Sequence, residues 1–342
     1  MSAERGAGQS TLAAFIIVTT LFFAWGFVTS LIDPLVAAVK GVFQLSYTEA
    51  MLTQFAWFIA YGVVSLPAAA VLMRLGYSRA IILALSAMLA GCLLVPLATH
   101  ADFYPGVLLA LFVIASGVTL LQVAANPLSA ALGAPERASF RLTLSQAFNS
   151  LGTVIGPYLG ATIMLSGGVF AADAAADHAA TRAESLRAID FSFLLVAGFF
   201  AVLTVFIFLV RKRISAAAPL LTASESVASA FRSPWALFGG LAIFLYVGAE
   251  VAIASIMINF LVEINFIEHL ARNGVLDAMA GVGLIDATRP AEETAGRVLA
   301  LWYWGGAMVG RFIGSVLLTR VHAGVLLSIA AAVAAALCVY VT

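Results

Sequence analysis

The sequence predicts an all-α membrane protein, and three observations carry that expectation. Of 342 residues, 63% are hydrophobic and only 10% are charged, against about 25% charged in a typical soluble domain. Water therefore cannot be the solvent for most of the surface. Nine apolar segments, at about 12–38, 47–73, 79–98, 103–133, 139–166, 190–211, 234–262, 296–318 and 323–341, are each near or above the roughly 20 residues a helix needs to cross a bilayer. Lys and Arg residues gather in alternate linkers between them. Such segments are helices because lipid offers no partner for backbone N–H and C=O groups.

Taken in order, the polar start MSAERGAGQS leads into an apolar run too long for a signal-peptide core, without a small-residue cleavage site, so the run reads as the first span. With that terminus on the cytoplasmic side, the inner linkers hold Arg5, Arg74, Arg79, Arg137, Arg141, Arg211, Lys212, Arg213, Arg232 and Arg320. The outer ones hold Lys40, Arg182, Arg187, Arg272, Arg289 and Arg297. Long loops count little toward orientation, so the loops at about 167–189 and 263–295 are discounted, leaving Lys40 alone outside. The basic run at 211–213 and the Ser/Ala-rich stretch after it set a boundary. This divides the chain into a six-helix half at 1–211, a cytoplasmic linker at 212–233 and a partial second half of three helices at 234–342.

The first half carries traces of a three-helix repeat. Asp33-Pro34 in the first segment is matched by Asn126-Pro127 in the fourth, and Gly62 with Pro67 in the second by Gly152 with Pro157 in the fifth. Such repeats are common in secondary transporters. Extended to the second half, the pattern leaves the final triplet missing, and the chain is expected to be a C-terminally truncated form with nine of twelve helices.

Most acidic residues fall in the tail or in loops, and two stand out inside spans, Asp33 and Glu250. An ionisable group in the membrane is costly and commonly marks a proton path or a binding site, the bland alternative being a structural ion pair. Arg311 is the only basic residue well inside a span, so it cannot pair both. Other polar groups fall at helical spacing. Trp25, Thr29 and Asp33 share one row, and Gln54, Phe58, Tyr61 and Ser65 another. Gln122 with Asn126, Gln146 with Asn149, and Tyr246 with Glu250 pair on their helices, with Asn259 further along. Amides and carboxyls bond hydroxyls and aromatic rings offer flat apolar faces, a mixture suited to a neutral polyhydroxylated solute. Buried amides also serve as glue between helices. No HExxH, GxSxG or Walker A pattern points to an enzyme. Cys92 and Cys338 lie in apolar runs, and four His residues, read as solvated at loops and span ends, make a metal cluster unexpected. No cofactor is expected, and the balanced charge gives no field for nucleic acid.

The stretch LLQVAANPLSAALGAPERASFRLTLSQAFNSLGTVIGPYLGA at 120–161 closely resembles the sugar:proton symporters of the major facilitator superfamily, in the L-fucose:proton symporter family and its glucose/galactose transporter branch. WGFVTSLIDPL, YVGAEVAIASIMINFL and YWGGAMVGRFIG resemble it as well. The resemblance implies a major facilitator-type helical bundle in the cell inner membrane, monomeric, importing a monosaccharide by alternating access with a proton, or with sodium as the other coupling ion. Asp33 matches the family's acid in the first helix. Gln122 stands where the fucose symporters have a second acid, so Glu250 becomes the other proton-coupling candidate. Gln146 and Asn149 match positions expected to bind sugar, and the proposed contact set adds Trp25, Tyr61, Gln122, Asn126 and Asn259. In the loop between the second and third helices Arg74, Gly76 and Arg79 match the family motif, with Met73 in place of its acid; with Arg311 they form the gating set. The alternatives are a carrier of another neutral solute on the same fold and a non-transporting sugar-binding sensor or inactive fragment.

Overall fold

The computed structural model describes residues 2–164, 178–219, 231–281, 283–284 and 291–341. The side chains of Asp33 and Asn259 lie outside the described residues. Two compact units are present, Met1–Leu221 with Met308–Thr342, and Thr222–Ala307.

In the first unit, α1 (Ser2–Ser30) and α2 (Ile32–Phe43) replace the single first helix expected from the sequence. The break falls at Leu31, whose N–H turns back to Val28 O at 3.3 Å. Pro34 causes it. Proline has no N–H, so position 34 cannot bond the carbonyl four residues earlier, that of Ser30. Ser30 instead directs its own hydroxyl to Phe27 O at 3.0 Å. Position 33 is therefore on α2, and the row through Trp25, Thr29 and Asp33 is not continuous.

α3 (Tyr47–Leu75) starts at a capping box in which Ser46 Oγ accepts from Glu49 N at 3.3 Å and Glu49 Oε2 accepts from Ser46 N at 2.8 Å. It ends at Gly76, a single connecting residue at φ 75°, where a side chain would be strained, and α4 (Tyr77–His100) follows at once. Then come α5 (Tyr104–Ala131), a 3-10 turn at Pro135–Arg137, and α6 (Ala138–Met164). α7 (His178–Ala217) is far longer than the expected 190–211 and takes in part of the expected outer loop. The prolines at 67, 127 and 157 stay inside continuous helices, so the break at Leu31 has no counterpart at Asn126-Pro127.

α1 packs along α6, α3 along α5, and α4 along both α5 and α7. The first two pairings are exchanged when the triplets are swapped, as the repeat expects. Close approach holds the α1–α6 seam. A Cβ on Gly152 would sit 2.5 Å from Phe23 O, and one on Gly156 2.6 Å from Phe27 O. Small residues allow this where both helices already face an apolar solvent and packing must supply the attraction. The core of the bundle includes fully buried Phe22, Leu35, Trp57, Met88, Ile114 and Phe200.

The second unit contains α8 (Pro234–Glu263), short helices α9 (Phe266–Arg272) and α10 (Val275–Gly281) within the expected outer loop, and α11 (Ala291–Val298). Leu261, Leu270, Leu276, Ala295 and Val298 form its core. The expected eighth span is not one helix: α11 passes through a π-helical stretch, Leu299–Trp304, into α12 (Gly305–Leu317). The chain closes with α13 (Ala323–Val341), apolar and exposed along its described length.

Among the described residues six helical stretches are long and apolar enough to cross a membrane: 11–30, 48–75, 77–100, 104–131, 181–217 and 323–340. α6 has the length, yet it carries Arg141, Ser145, Gln146, Asn149 and Ser150 through its first half. That polarity is what builds the site.

Candidate functional site

α6 can be polar because its neighbours satisfy it. Ser145 Oγ is 3.3 Å from Thr19 Oγ1 on α1 and 2.9 Å from Ser129 Oγ on α5. Asn149 Nδ2 donates to Phe22 O on α1 at 3.1 Å, while Gln146 Nε2 donates to Asn126 Oδ1 on α5 at 3.3 Å. Ser150 Oγ donates to Gln146 O at 3.2 Å and accepts from Arg311 on α12. Arg141 is buried beneath this ladder and donates to the carbonyls of Ser129 and Ala130, left open where α5 ends, and to that of Ala134 in the turn that follows.

A second polar group lies where α1, α3 and α5 meet. Trp57 and Tyr61 are one turn apart on α3. Gln122 Nε2 of α5 donates to the Tyr61 hydroxyl at 3.4 Å, a long bond. Thr29 of α1 and the indole N–H of Trp57 flank the same hydroxyl. Thr29 Oγ1 and Trp57 Nε1 are nevertheless buried without a partner in full hydrogen-bond geometry.

The structure thus joins Tyr61 to Gln122 and Asn126 to Gln146. It separates others. Trp25 is 3% exposed, its ring packed 4.1 Å from that of Phe22, and so belongs to the core. Asn149 uses its amide on the backbone of α1. Of the row Gln54, Phe58, Tyr61 and Ser65, Phe58 and Tyr61 share a face with ring centroids 6.3 Å apart, Phe58 being exposed, while Ser65 bonds its own helix at Gly62 O. Trp57, unremarked in the sequence, stands on that helix's polar face; its position four residues before Tyr61 was the available signal. Arg74 and Arg79 are exposed beside Gly76 and, among the described residues, pair with no acid.

In the second unit Tyr246 Oη donates to Glu250 Oε1 at 3.1 Å, which realises the i, i+4 spacing. Tyr303, from the π-helical stretch, donates to the Glu250 carbonyl at 3.1 Å. π-helical turns occur often at functional positions.

The Major Facilitator Superfamily profile matches residues 14–342. The chain is 42% identical over 322 residues to the glucose/galactose transporter of Brucella abortus biovar 1 (strain 9-941), covering 94% of this chain and 70% of that protein. This chain belongs to the Major Facilitator Superfamily. It is also 33% identical over 163 residues to the L-fucose-proton symporter of Escherichia coli (strain K12), covering 48% of this chain and 37% of that one. Among solved structures, FucP, a Major Facilitator Superfamily transporter in the outward conformation, superposes with a TM-score of 0.73 at 26% identity, covering 96% of this chain and 77% of that one.

Membership in the Major Facilitator Superfamily makes the chain an integral membrane protein among transporters. Its six-helix stretch also corrects one expectation at the end where α2, α4 and α7 meet. Asp190, read from the sequence as a loop acid, lies inside α7 with its side chain 15% exposed. His100, whose side chain is 64% exposed as the solvated reading expects, places Nδ1 3.5 Å from Asp190 Oδ2. Beside this pair, Arg182 NH2 meets Asp102 Oδ1 at 2.6 Å and its Nε donates to Val42 O at 3.2 Å, which fastens the start of α7 to the ends of α2 and α4. A reading by apolar segments hides such groups because α7 extends well past its apolar core.

Proposed function

We propose that this protein imports a neutral monosaccharide, a glucose- or galactose-like hexose, together with a proton by alternating access. The observation that carries the reading is the pair of amide contacts, Gln122 to Tyr61 and Gln146 to Asn126, inside an otherwise apolar helix bundle. These groups bond one another when no solute is present, so none is left unsatisfied. A sugar hydroxyl both donates and accepts, and can take either partner's place at small net cost. The names of the relatives support the substrate class and the proton.

In this reading Asn126 and Gln146, with Tyr61 and Gln122, bind hydroxyls and Asn259 adds a contact from the second half, while Trp25, in the core, and Asn149, bonded to the α1 backbone, support the site from behind. Asp33 and Glu250 take up and release the proton. Arg311 acts through Ser150, and Arg74, Gly76 and Arg79 form the inner turn. Residues 1–211 act as the first half, 212–233 as the linker and 234–342 as part of the second. The basic residues at the α3–α4 and α5–α6 turns and at the end of α7 support a cytoplasmic N-terminus in the inner membrane.

The test is uptake into proteoliposomes under an inward proton gradient with a panel of labelled monosaccharides. Concentrative uptake of glucose or galactose that collapses with a protonophore is expected. Uptake of another solute class, or uptake indifferent to the gradient, overturns the reading.

A further inference from the structure

Positive charge converges where α3 turns into α4 and α7 closes. Arg74 and Arg79 flank Gly76, and Arg211, Lys212 and Arg213 follow one another near the end of α7. Ser78 Oγ of α4 lies 2.7 Å from Ser215 Oγ of α7, which brings the two groups to one end of the seam along which these helices pack. α4 has no acidic residue, and α7 has none after Asp190. Arg211 is turned onto its own helix, with its guanidinium carbon 3.7 Å from the Phe208 ring centroid and NH1 donating to Phe208 O. Arg79, Lys212 and Arg213 are exposed and, among the described residues, in no ion pair.

Exposure along the two helices shows what else reaches that end. On α7, Leu203, Ile207 and Ile214 are buried in the bundle. Val202, Val205, Phe206 and Leu209 are exposed on the opposite side, and at the same helical spacing their row continues into Lys212 and Arg213. On α4 an exposed row runs from Arg79 to Leu83 and Ala90. Each row is apolar through the membrane-spanning length and ends in a cation. Orientation across a bilayer asks only for basic residues near one end of a helix. It does not ask that they crown two packed helices on the side turned away from the bundle. A soluble anion would use the charges and leave the apolar rows idle. A molecule with a negative head and long apolar tails uses both. Lys and Arg stems lie along apolar surface and hold their charge at headgroup level, where each basic group strengthens association with an anionic lipid about fivefold.

We propose that the α4–α7 seam ends in a binding site for an anionic phospholipid. Arg79, Lys212 and Arg213 hold its phosphate, and its acyl chains lie along the exposed rows of the two helices. The Ser78–Ser215 contact fixes the two helix ends beside each other, so one headgroup meets cations from both. The site is separate from the amide cluster and does not depend on which solute that cluster binds.

The experiment reconstitutes the full chain in phosphatidylcholine bilayers and measures, by electron spin resonance, the association of spin-labelled phosphatidylglycerol relative to spin-labelled phosphatidylcholine. The unaltered chain should prefer phosphatidylglycerol about three- to tenfold. R79Q/K212Q/R213Q should bring the ratio to within about 1.5-fold of unity. K40Q neutralises a cation at the opposite end of the bundle, where Arg182 of α7 bonds Val42 O, and should leave the ratio unchanged. Added salt should weaken the preference of the unaltered chain, because exposed charges are screened. A preference that persists in the triple variant, falls equally in K40Q or is absent from the unaltered chain overturns the proposal. Complete displacement of the labelled lipid by inorganic phosphate at matched ionic strength overturns it too, since the site would then be one for a free anion. If the triple variant fails to fold, R79Q and K212Q/R213Q decide separately: each should lose at least about half of the preference, and an unchanged ratio in both sinks the site.

Discussion

Gln146 on α6 donates from Nε2 to Asn126 Oδ1 on α5 at 3.3 Å, and the carbonyl of the same Gln146 accepts from Ser150, which in turn accepts from Arg311 on α12. One residue therefore connects the amide pair at the candidate site to a cation in a different helix. A hydrogen bond in a bundle of this kind has two values. It holds helices together, and it keeps polar atoms ready for a solute. The two can be separated by substitution.

Replacing Gln146 by Ala leaves the half-buried Asn126 amide with one partner fewer, at a cost of about 1 kcal/mol. Replacing both by Leu removes the orphan and should restore much of the thermal stability. Solute binding should be lost in the single and the double variant alike. Thermal unfolding and calorimetry on the same samples check this. Binding that returns with stability in the double variant would show the pair to be glue only.

The α1–α6 seam should be the least tolerant surface in the first unit. A Cβ at Gly152 meets Phe23 O at 2.5 Å and Phe27 N at 2.6 Å, both backbone atoms that cannot swing away. Gly152→Val should lower stability by roughly 3 kcal/mol or strand the protein unfolded. Gly62→Ala, on an open face of α3 with nothing within 4 Å of its Cβ, should change stability by less than about 1 kcal/mol. Thermal midpoints of the two variants give the comparison, and equal effects would contradict the close packing described.

These two glycines show how far the sequence could be read. Gly62 with Pro67 and Gly152 with Pro157 repeat at identical spacing, yet one faces open space and the other a helix seam. Spacing reveals repetition; it does not reveal which neighbour lies opposite. The helices themselves were legible because lipid leaves the backbone no alternative. Pro34 was legible as a residue, but the break at Leu31 was not, since Pro127 inside α5 breaks nothing. At the site, Tyr61, Gln122, Asn126 and Gln146 were legible because amides are conspicuous among apolar residues. Trp57 was not, because an indole in an apolar run looks like core until its nitrogen is found beside the Tyr61 hydroxyl. Asp190 escaped because α7 begins twelve residues before the apolar stretch that marked it.

Arg141 should prove structural. It donates to two carbonyls at the end of α5 and one in the connecting turn, and thereby fixes the α5–α6 turn. Arg141→Met keeps much of the volume and removes the donors. It should cost about 2–4 kcal/mol and make residues 132–138 a site of rapid proteolysis, while the affinity of the remaining folded protein for solute stays within about twofold. A stable, protease-resistant variant with lost affinity would move Arg141 into the binding machinery.

Proton coupling should depend on two carboxyls rather than one. In the second unit the Glu250 carboxylate accepts from Tyr246 at 3.1 Å, and its backbone carbonyl is held by Tyr303 of the π-helical stretch, so side chain and main chain are gripped from different elements. Such a carboxyl can change its charge while its position stays fixed, which is what coupling asks of it. Asp33 lies just past the helix break, on a segment whose direction is set by Pro34 rather than by α1. Glu250→Gln and Asp33→Asn keep shape and hydrogen bonding but cannot ionise. Each should abolish gradient-driven accumulation while preserving solute exchange at equal concentrations across the membrane, because exchange needs the cavity to alternate and does not need net proton movement. Tyr246→Phe should weaken accumulation less, since it removes only one bond to the carboxylate. The comparison of accumulation with exchange in the same proteoliposomes is the measurement. Loss of both in either variant points to a collapsed cavity, and unchanged accumulation in both removes these carboxyls from the coupling step.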